Sequence, residues 1–326
     1  MFVKSSSKWT QITKKLEQIL GKKAVIKRKN ELLTYECDGL PQYRQRPALV
    51  ILPQTTEQVA QIVRLCNQYQ IPWIARGAGT GLSGGALPVE DCLLIATARM
   101  NEIVEIDREN QRITVQPGVI NNWVTQAVSG AGFYYAPDPS SQTVCSIGGN
   151  VAENAGGVHC LKYGTTTNHV LGLTIVTAEG EIIKVGGKVP EMPGFDLTGL
   201  FVGSEGTLGI ATEITLKILK TPSKVSVILA DFNSIEAAAS TVSAIISEGI
   251  IPAGMEMMDS FSINAVRDIV DASYYSPTAE AMLLVELDGL EVEVENYQQR
   301  VVAICERLGA KKITCASDPQ TRAKLW

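Results

Sequence analysis

WIARGAGTGLSGGAL, residues 73–87, carries a short apolar strand straight into a loop where five of the ten residues Arg76–Gly85 are glycine. Glycine at that density costs backbone entropy when the loop orders. The cost makes sense where bare backbone must come close to a ligand and present its N–H groups to an anion. A diphosphate fits that description, and Thr80 and Ser83 add hydroxyl donors. A second apolar strand, Leu93–Ala96, follows, so the loop is bracketed by core rather than left free at the surface. It is not a Walker A loop, because no G-K-[ST] is present. Gly79, Gly81 and Gly84 satisfy G-x-G-x-x-G, but the loop runs into Pro88 and a strand instead of the helix that a Rossmann turn needs.

Two more clusters of the same character follow. PDPSSQTVCSIGGNVAENAGG (residues 137–157) pairs Gly148-Gly149 and Gly156-Gly157 around Asn150 and Asn154. Its amides and the Ser140 and Ser141 hydroxyls can bond a polar ring edge or a sugar without adding charge. Gly203–Gly209 (GSEGTLG) is the third. Three separated glycine and polar clusters suit an extended ligand better than a small one.

Outward from the loop, periodicity predicts a helix over 8–20 (Trp9, Ile12, Leu16, Ile19), a buried strand at Ala48–Leu52, and a helix started by a Thr55/Gln58 capping box, with Val59, Ile62, Val63 and Cys66 on its apolar face. Hairpins are expected over 103–116 and around Glu179-Gly180, helices at Asn121–Val128 and Asp196–Phe201, and a strand at Ile210–Leu219. Pro137–Gly164 shows little periodicity. Beyond Thr221-Pro222 the order is strand (Val225–Ala230), helix (Ile235–Ser247), strand (Met282–Leu287) and helix (Glu291–Leu308), which predicts a second domain of mixed helix and strand.

The chain has 326 residues and a formal net charge of −5, with 45% hydrophobic residues. Length alone suggests roughly two domains. No basic stripe points to nucleic acid, and no apolar run of spanning length predicts a transmembrane segment. MFVKSSSKWTQITKKL lacks the apolar region of a secretory signal. The seven scattered cysteines form no C-x-x-C pair, so reduced thiols in a cytoplasmic protein are expected, with no iron–sulfur site in this chain. Two histidines are too few for a histidine-rich metal site, and no metal is expected.

Taken in order, these motifs resemble the PCMH-type (vanillyl-alcohol-oxidase-like) FAD-binding domain. The resemblance runs from Pro47 to Lys220 through P-x-x-V-x-x-P (Pro47, Val50, Pro53), R-G-x-G-T, IGGN-x-x-x-NAGG and D-L-x-x-L-F-x-G-S-E-G-T-L-G-I (Asp196–Ile210). Within it the wording is similar to the 2-hydroxyacid dehydrogenases, the glycolate oxidase flavoprotein subunit and D-lactate dehydrogenases. PAGMEMMD (252–259) and LVELDG (284–289) extend the likeness to the second domain. The implied fold is α+β, a two-subdomain FAD-binding fold followed by a partial α/β (ferredoxin-like) substrate or cap domain. The implied divisions are a helical lead-in over 1–46, the FAD-binding domain over 47–221 and the substrate domain over 222–326.

The resemblance also implies residue roles. Arg76, Gly77, Ala78, Gly79, Thr80, Gly81 and Ser83 would cradle the FAD diphosphate. Pro137, Asp138 and Ser141 would line the isoalloxazine or ribityl side. Gly148, Gly149, Asn150, Asn154 and Gly157 would lie along flavin and diphosphate, and Glu205, Gly209 and Ile210 at the adenine end. The implied activity is FAD-dependent oxidation of a small 2-hydroxyacid, glycolate or D-lactate, with hydride transfer to flavin N5. The electron acceptor implied is a quinone, a cytochrome or an iron–sulfur or other electron-transfer subunit, placing the protein in the cytoplasm or at the inner membrane surface.

The family's arginine beyond A-x-L-W and its H-A-G-D-G-N motif are not found up to Trp326, so no catalytic residue is identifiable and the chain reads as C-terminally truncated. An FAD-binding subunit or remnant, inactive without a partner or the missing part, is the alternative. A peptidoglycan-precursor reductase of the same fold fits the motifs less well. His169 reads as structural, and His159, beside the AGG turn, as near the flavin. Some relatives bind flavin covalently through a histidine at the Thr80 position, and threonine cannot form that bond. FAD is therefore expected to be non-covalent. Acid precipitation should release all the flavin into the supernatant, and yellow colour retained in the washed pellet contradicts that expectation.

Overall fold

The structure is a computed structural model that describes residues 3–188, 194–266, 274–276 and 278–326, with side chains from Lys8 onward. The chain forms two compact units. Met1–Gly156 and Thr165–Leu219 make the first, and Gly157–Gly164 with Lys220–Trp326 make the second.

The first unit holds two sheets among the described residues. The smaller contains β1 (Val25–Ile26), β2 (Leu49–Ile51), β3 (Trp73–Arg76) and β4 (Leu93–Ala96) in the order β1-β2-β4-β3. β2 and β3 both run parallel to β4. A parallel sheet covered on both faces needs apolar side chains at every position, and LVI and LLIA supply them. Leu49, Ile51, Leu93 and Ile95 pack on one side against Ile62, Val63, Ile12 and Leu16 of helices Thr56–Tyr69 and Val3–Leu20. Val50, Leu52, Leu94 and Ala96 face the other way, onto Ala24 and Leu32. Fully burying such a side chain contributes about 1.5–3 kcal/mol.

Helix Thr56–Tyr69 starts as expected, with Thr55 accepting from Gln58 N (3.2 Å). The return half of the cap differs, because Gln58 Oε1 accepts from Gln54 N (2.8 Å), one residue before the cap position. The helix ends at Gln70 in the left-handed region (φ 47°). Burial pushes the thiol of Cys66 on its inner face up to about 12.

The larger sheet has β5 (Ile103–Asp107), β6 (Arg112–Val115), β8 (Val170–Thr177), β9 (Ile182–Gly186) and β10 (Gly209–Lys217) in the order β5-β6-β10-β8-β9, antiparallel throughout. β7 (Phe133–Tyr134) and β11 (Leu219–Lys220) are two-residue strands. Its core is closed by Val124 and Val128 of helix Asn121–Ser129 and by Ile147 and Val151 of helix Ile147–Glu153. That last helix lies within the stretch whose sequence shows little periodicity, because its second and third residues are glycine. Gly148 is glycine for a steric reason, since a Cβ there would stand 2.5 Å from Pro117 Cβ.

The second unit contains β12 (Lys224–Phe232), β13 (Gly254–Asp259), β14 (Ala281–Gly289) and β15 (Lys312–Ala316) in the order β13-β14-β12-β15, all antiparallel. With helices Ile235–Ser247 and Glu291–Arg307 this is the β-α-β-β-α-β pattern of ferredoxin-like folds. The helices cover Ile228, Phe232, Leu283 and Val285 on one face. β13 and β15 escape sequence reading because they are edge strands, largely half-exposed and without apolar alternation.

Gly157–Gly164 is fastened to β14. Lys162 Nζ donates to Asp288 Oδ1 and to its carbonyl (2.7 Å), and Tyr163 Oη donates to Asp288 Oδ2 (2.5 Å). Among the described residues no helix is long and apolar enough to cross a membrane.

Candidate cofactor site

β3 delivers the glycine loop to the wall of a cavity of about 380 Å³ in the first unit. Arg76, the last residue of β3, is buried at 8% exposure. Its Nη1 donates to Cys37 O (2.7 Å) and Ala86 O (3.4 Å), and its guanidinium lies 5.8 Å from the Tyr35 ring centre. Burial pulls its pKa down, opposed by Cys37, Tyr35 and Asp38. Arg76 therefore braces the loop from below. The loop closes over it at Gly79 (φ +73°), where a Cβ would stand 2.1 Å from Arg76 Nη2. At Gly77 a Cβ would meet Ser146 Oγ at 2.4 Å. From the N-terminal side Gly39 N donates to Gly81 O (3.0 Å).

Among the described residues, the backbone N–H groups of Ala78–Gly85 donate to no protein acceptor. Ala78–Leu82 and Gly85 of this row line the cavity, and a row of such groups is an anion-binding arrangement.

The opposite wall comes from the second glycine cluster. Asn121 Nδ2 holds Pro137 O (3.0 Å), and Ser146 caps helix Ile147–Glu153 by accepting from Gly149 N (3.3 Å). Gly148, Gly149 and Asn150 line the cavity. Asn150 is buried, and its Nδ2 has no accepting oxygen or nitrogen among the described residues. The third cluster contributes Glu205 (φ 52°), Gly209 and Ile210.

Arg76 to Gly81, Ser141, Gly148 to Asn150, Glu205, Gly209 and Ile210 thus meet around one cavity. Five of the residues named from the sequence stand elsewhere. Ser83 Oγ donates to Glu153 Oε2 (3.1 Å) outside the lining. Pro139, Ser140 and Ser141 line the wall where Pro137 and Asp138 were expected. Asn154 is a left-handed helix cap (φ 51°) whose Oδ1 accepts from Thr167 N (2.9 Å). Gly157 belongs to the second unit. Sequence reading missed Asp38, Thr97, Pro117, Leu173, Ile175 and Ala211, which reach the cavity from segments without glycine clusters. Asp38-Gly39 and Pro117-Gly118 carry turn-like signals.

Neither histidine lines this cavity. His169 is buried with its ring edge-on to Tyr135 (5.8 Å, 79°), a structural position. In the second unit His159 Nε2 donates to Glu286 Oε1 (3.0 Å), and Trp326 Nε1 to Glu286 Oε2 (2.6 Å). Burial alone would raise the Glu286 pKa, but these hydrogen bonds and the charges of His159 and Arg322 outweigh it and hold the carboxyl below its ordinary range. Among the described residues no group of three histidine, cysteine or acidic side chains could hold a metal.

Residues 47–186 match the FAD binding domain family, and residues 221–326 match the C-terminal domain of FAD linked oxidases. The chain is 32% identical over 325 residues to a D-lactate dehydrogenase of Anaerostipes hadrus, covering 97% of this chain and 68% of that one. The chain belongs to the FAD-linked oxidase family.

This FAD-linked oxidase is also 51% identical over 296 residues to the glycolate oxidase subunit GlcD of Escherichia coli K12, covering 91% of this chain and 59% of the relative. It therefore spans about three-fifths of that relative's length. Its fold is shared with p-cresol methylhydroxylase (TM-score 0.79, 20% identity, 97% of this chain and 67% of that one). An alkyldihydroxyacetonephosphate synthase shares it too (TM-score 0.81, 22% identity, 97% and 62%). FAD is its cofactor. The cavity fits FAD, with loop N–H groups lacking acceptors, glycines where a Cβ would collide, and a buried amide without an acceptor.

The lowered Glu286 pKa has a consequence for stability. A carboxyl depressed in the native state contributes stability above its unfolded pKa and loses it as pH falls through the native value. In urea unfolding followed by circular dichroism, Glu286→Gln should cost about 1.5–3 kcal/mol at pH 7. The gap to wild type should narrow on acidification below the ordinary glutamate range. A gap that stays constant to low pH contradicts this.

Proposed function

We propose that the chain is the flavin-binding part of an oxidoreductase acting on a small 2-hydroxyacid, glycolate or D-lactate, with FAD held non-covalently in the cavity of the first unit. The observation that carries the reading is the loop Ala78–Gly85, whose N–H groups have no acceptor among the described residues and of which Ala78–Leu82 and Gly85 line a cavity in a chain of this family. Bound FAD supplies the two-electron acceptor. The protein's part begins with the loop. Gly77–Gly81 offers neutral donors to the diphosphate, and the Thr80 hydroxyl can add another. Gly148, Gly149 and Asn150 form the wall along the cofactor, with the Asn150 amide donating to it. Glu205, Gly209 and Ile210 close the far end. Arg76 positions the loop through Nη1, which donates to Cys37 O and Ala86 O.

Oxidation of a hydroxyacid also needs a cation for its carboxylate and a base for its hydroxyl proton. Arg76 is the sole lysine or arginine among the described lining residues of the cavity, and its Nη1 donates to Cys37 O and Ala86 O. A second reading follows, in which the chain works with a further polypeptide that supplies those groups or accepts the electrons. The relative's own name, a glycolate oxidase subunit, supports it. Such a partner would be an iron–sulfur or other electron-transfer subunit, with the assembly in the cytoplasm or at the inner membrane face.

Anaerobic mixing of the FAD-loaded chain with D-lactate or with glycolate separates the two readings. Bleaching of the flavin band at catalytic rates by one of these acids is expected if the chain suffices. Flavin that stays bound and oxidised with both acids contradicts that and leaves the partner-dependent reading.

A further inference from the structure

The ionisable side chains lining the cavity are unusual for a site meant to hold a diphosphate. Asp38, Glu153 and Glu205 are acidic, and the single guanidinium is Arg76. The diphosphate must then be met by neutral backbone N–H groups, and each carboxylate needs a neutral donor or water. Glu153 has one in Ser83 Oγ. Asp38 is the case that stands out.

Asp38 lies on the segment Glu36–Leu40, outside the matched stretch 47–186. Its Oδ1 accepts from Leu40 N (2.8 Å). Its Oδ2 is buried with no hydrogen-bond partner among the described residues. The nearby Arg76 guanidinium directs Nη1 at Cys37 O and Ala86 O instead. A buried carboxylate oxygen without a donor is costly. The segment is also fixed against the loop, because Gly39 N donates to Gly81 O and a Cβ on Gly39 would stand 2.7 Å from Thr80 O. Asp38 therefore has a set position relative to the backbone that would carry the diphosphate, and it lines the same cavity.

We propose that Asp38 is a cofactor-binding residue whose Oδ2 accepts a hydrogen bond from an uncharged donor of FAD, a sugar hydroxyl or a ring N–H. The inference rests on the reading that FAD occupies the first-unit cavity. On it, a carboxylate on the cavity wall strengthens binding, because a hydrogen bond to a charged acceptor is stronger than one between neutral groups and the loop N–H groups solvate the phosphate charge.

Apoprotein is titrated with FAD and with FMN, following flavin fluorescence, for wild type, Asp38→Asn and Gly79→Ala. Asp38→Asn presents a donor where an acceptor is needed and should weaken FAD about 10- to 100-fold. The thermal midpoint of the apoprotein should stay level or rise, since a buried charge has been removed. An equal loss for FMN assigns the donor to the ribityl-flavin half, and a loss confined to FAD assigns it to the adenosine half. Unchanged or tighter FAD binding by Asp38→Asn, with Gly79→Ala weakened, overturns the role of Asp38 alone. Wild-type affinity in both variants overturns the cavity reading itself. Should Asp38→Asn fail to fold, Asp38→Ser, whose hydroxyl can still serve Leu40 N, carries the same comparison.

Discussion

Backbone N–H groups that no protein acceptor satisfies are expensive unless a ligand or water takes them, and Ala78–Gly85 presents a row of them, with Ala78–Leu82 and Gly85 lining a cavity. Much of the first unit can be understood as the means of holding that row in place. β3 is hydrogen-bonded in parallel to β4, whose four residues are all buried, so the loop starts from a rigid point. Arg76 ties the loop's base to Cys37 O and to Ala86 O. Ser146 and Pro117 come close enough that a Cβ at Gly77 or Gly148 would collide with them. Neutral donors on a fixed frame can bind an anion without the lysines that many phosphate sites employ.

The loop, its strands and the third cluster were legible in the sequence because each leaves a local mark: glycine density, a continuous apolar run, or glycine beside a polar residue. What stayed hidden lacks such a mark. Helix Ile147–Glu153 has glycine where helix formers would announce it. β13 and β15 are edge strands with polar exposures. Asn154, a cofactor residue by the resemblance, caps helix Ile147–Glu153 in the left-handed conformation that asparagine favours. Asp38 and Thr97 reach the cavity through tertiary packing, which no local pattern encodes.

The segment Gly157–Gly164 teaches the same lesson about unit boundaries. By sequence it continues the second glycine cluster, yet Lys162 and Tyr163 bond Asp288, and His159 bonds Glu286, two residues apart on β14. Acidic residues at alternate positions of one strand point to the same side, so a single short segment can satisfy both. The motif L-V-E-L-D-G therefore has a structural reason within the second unit for both of its acids.

The central claim is that the acceptor-free loop is where FAD binds. Hydrogen–deuterium exchange of the apoprotein and the FAD-loaded protein tests it most directly. FAD should slow exchange of the amides of Ala78–Gly85 strongly, while those of β12 and β14, already paired in their ladder, change little. A loop whose exchange is the same with and without bound FAD would contradict the account.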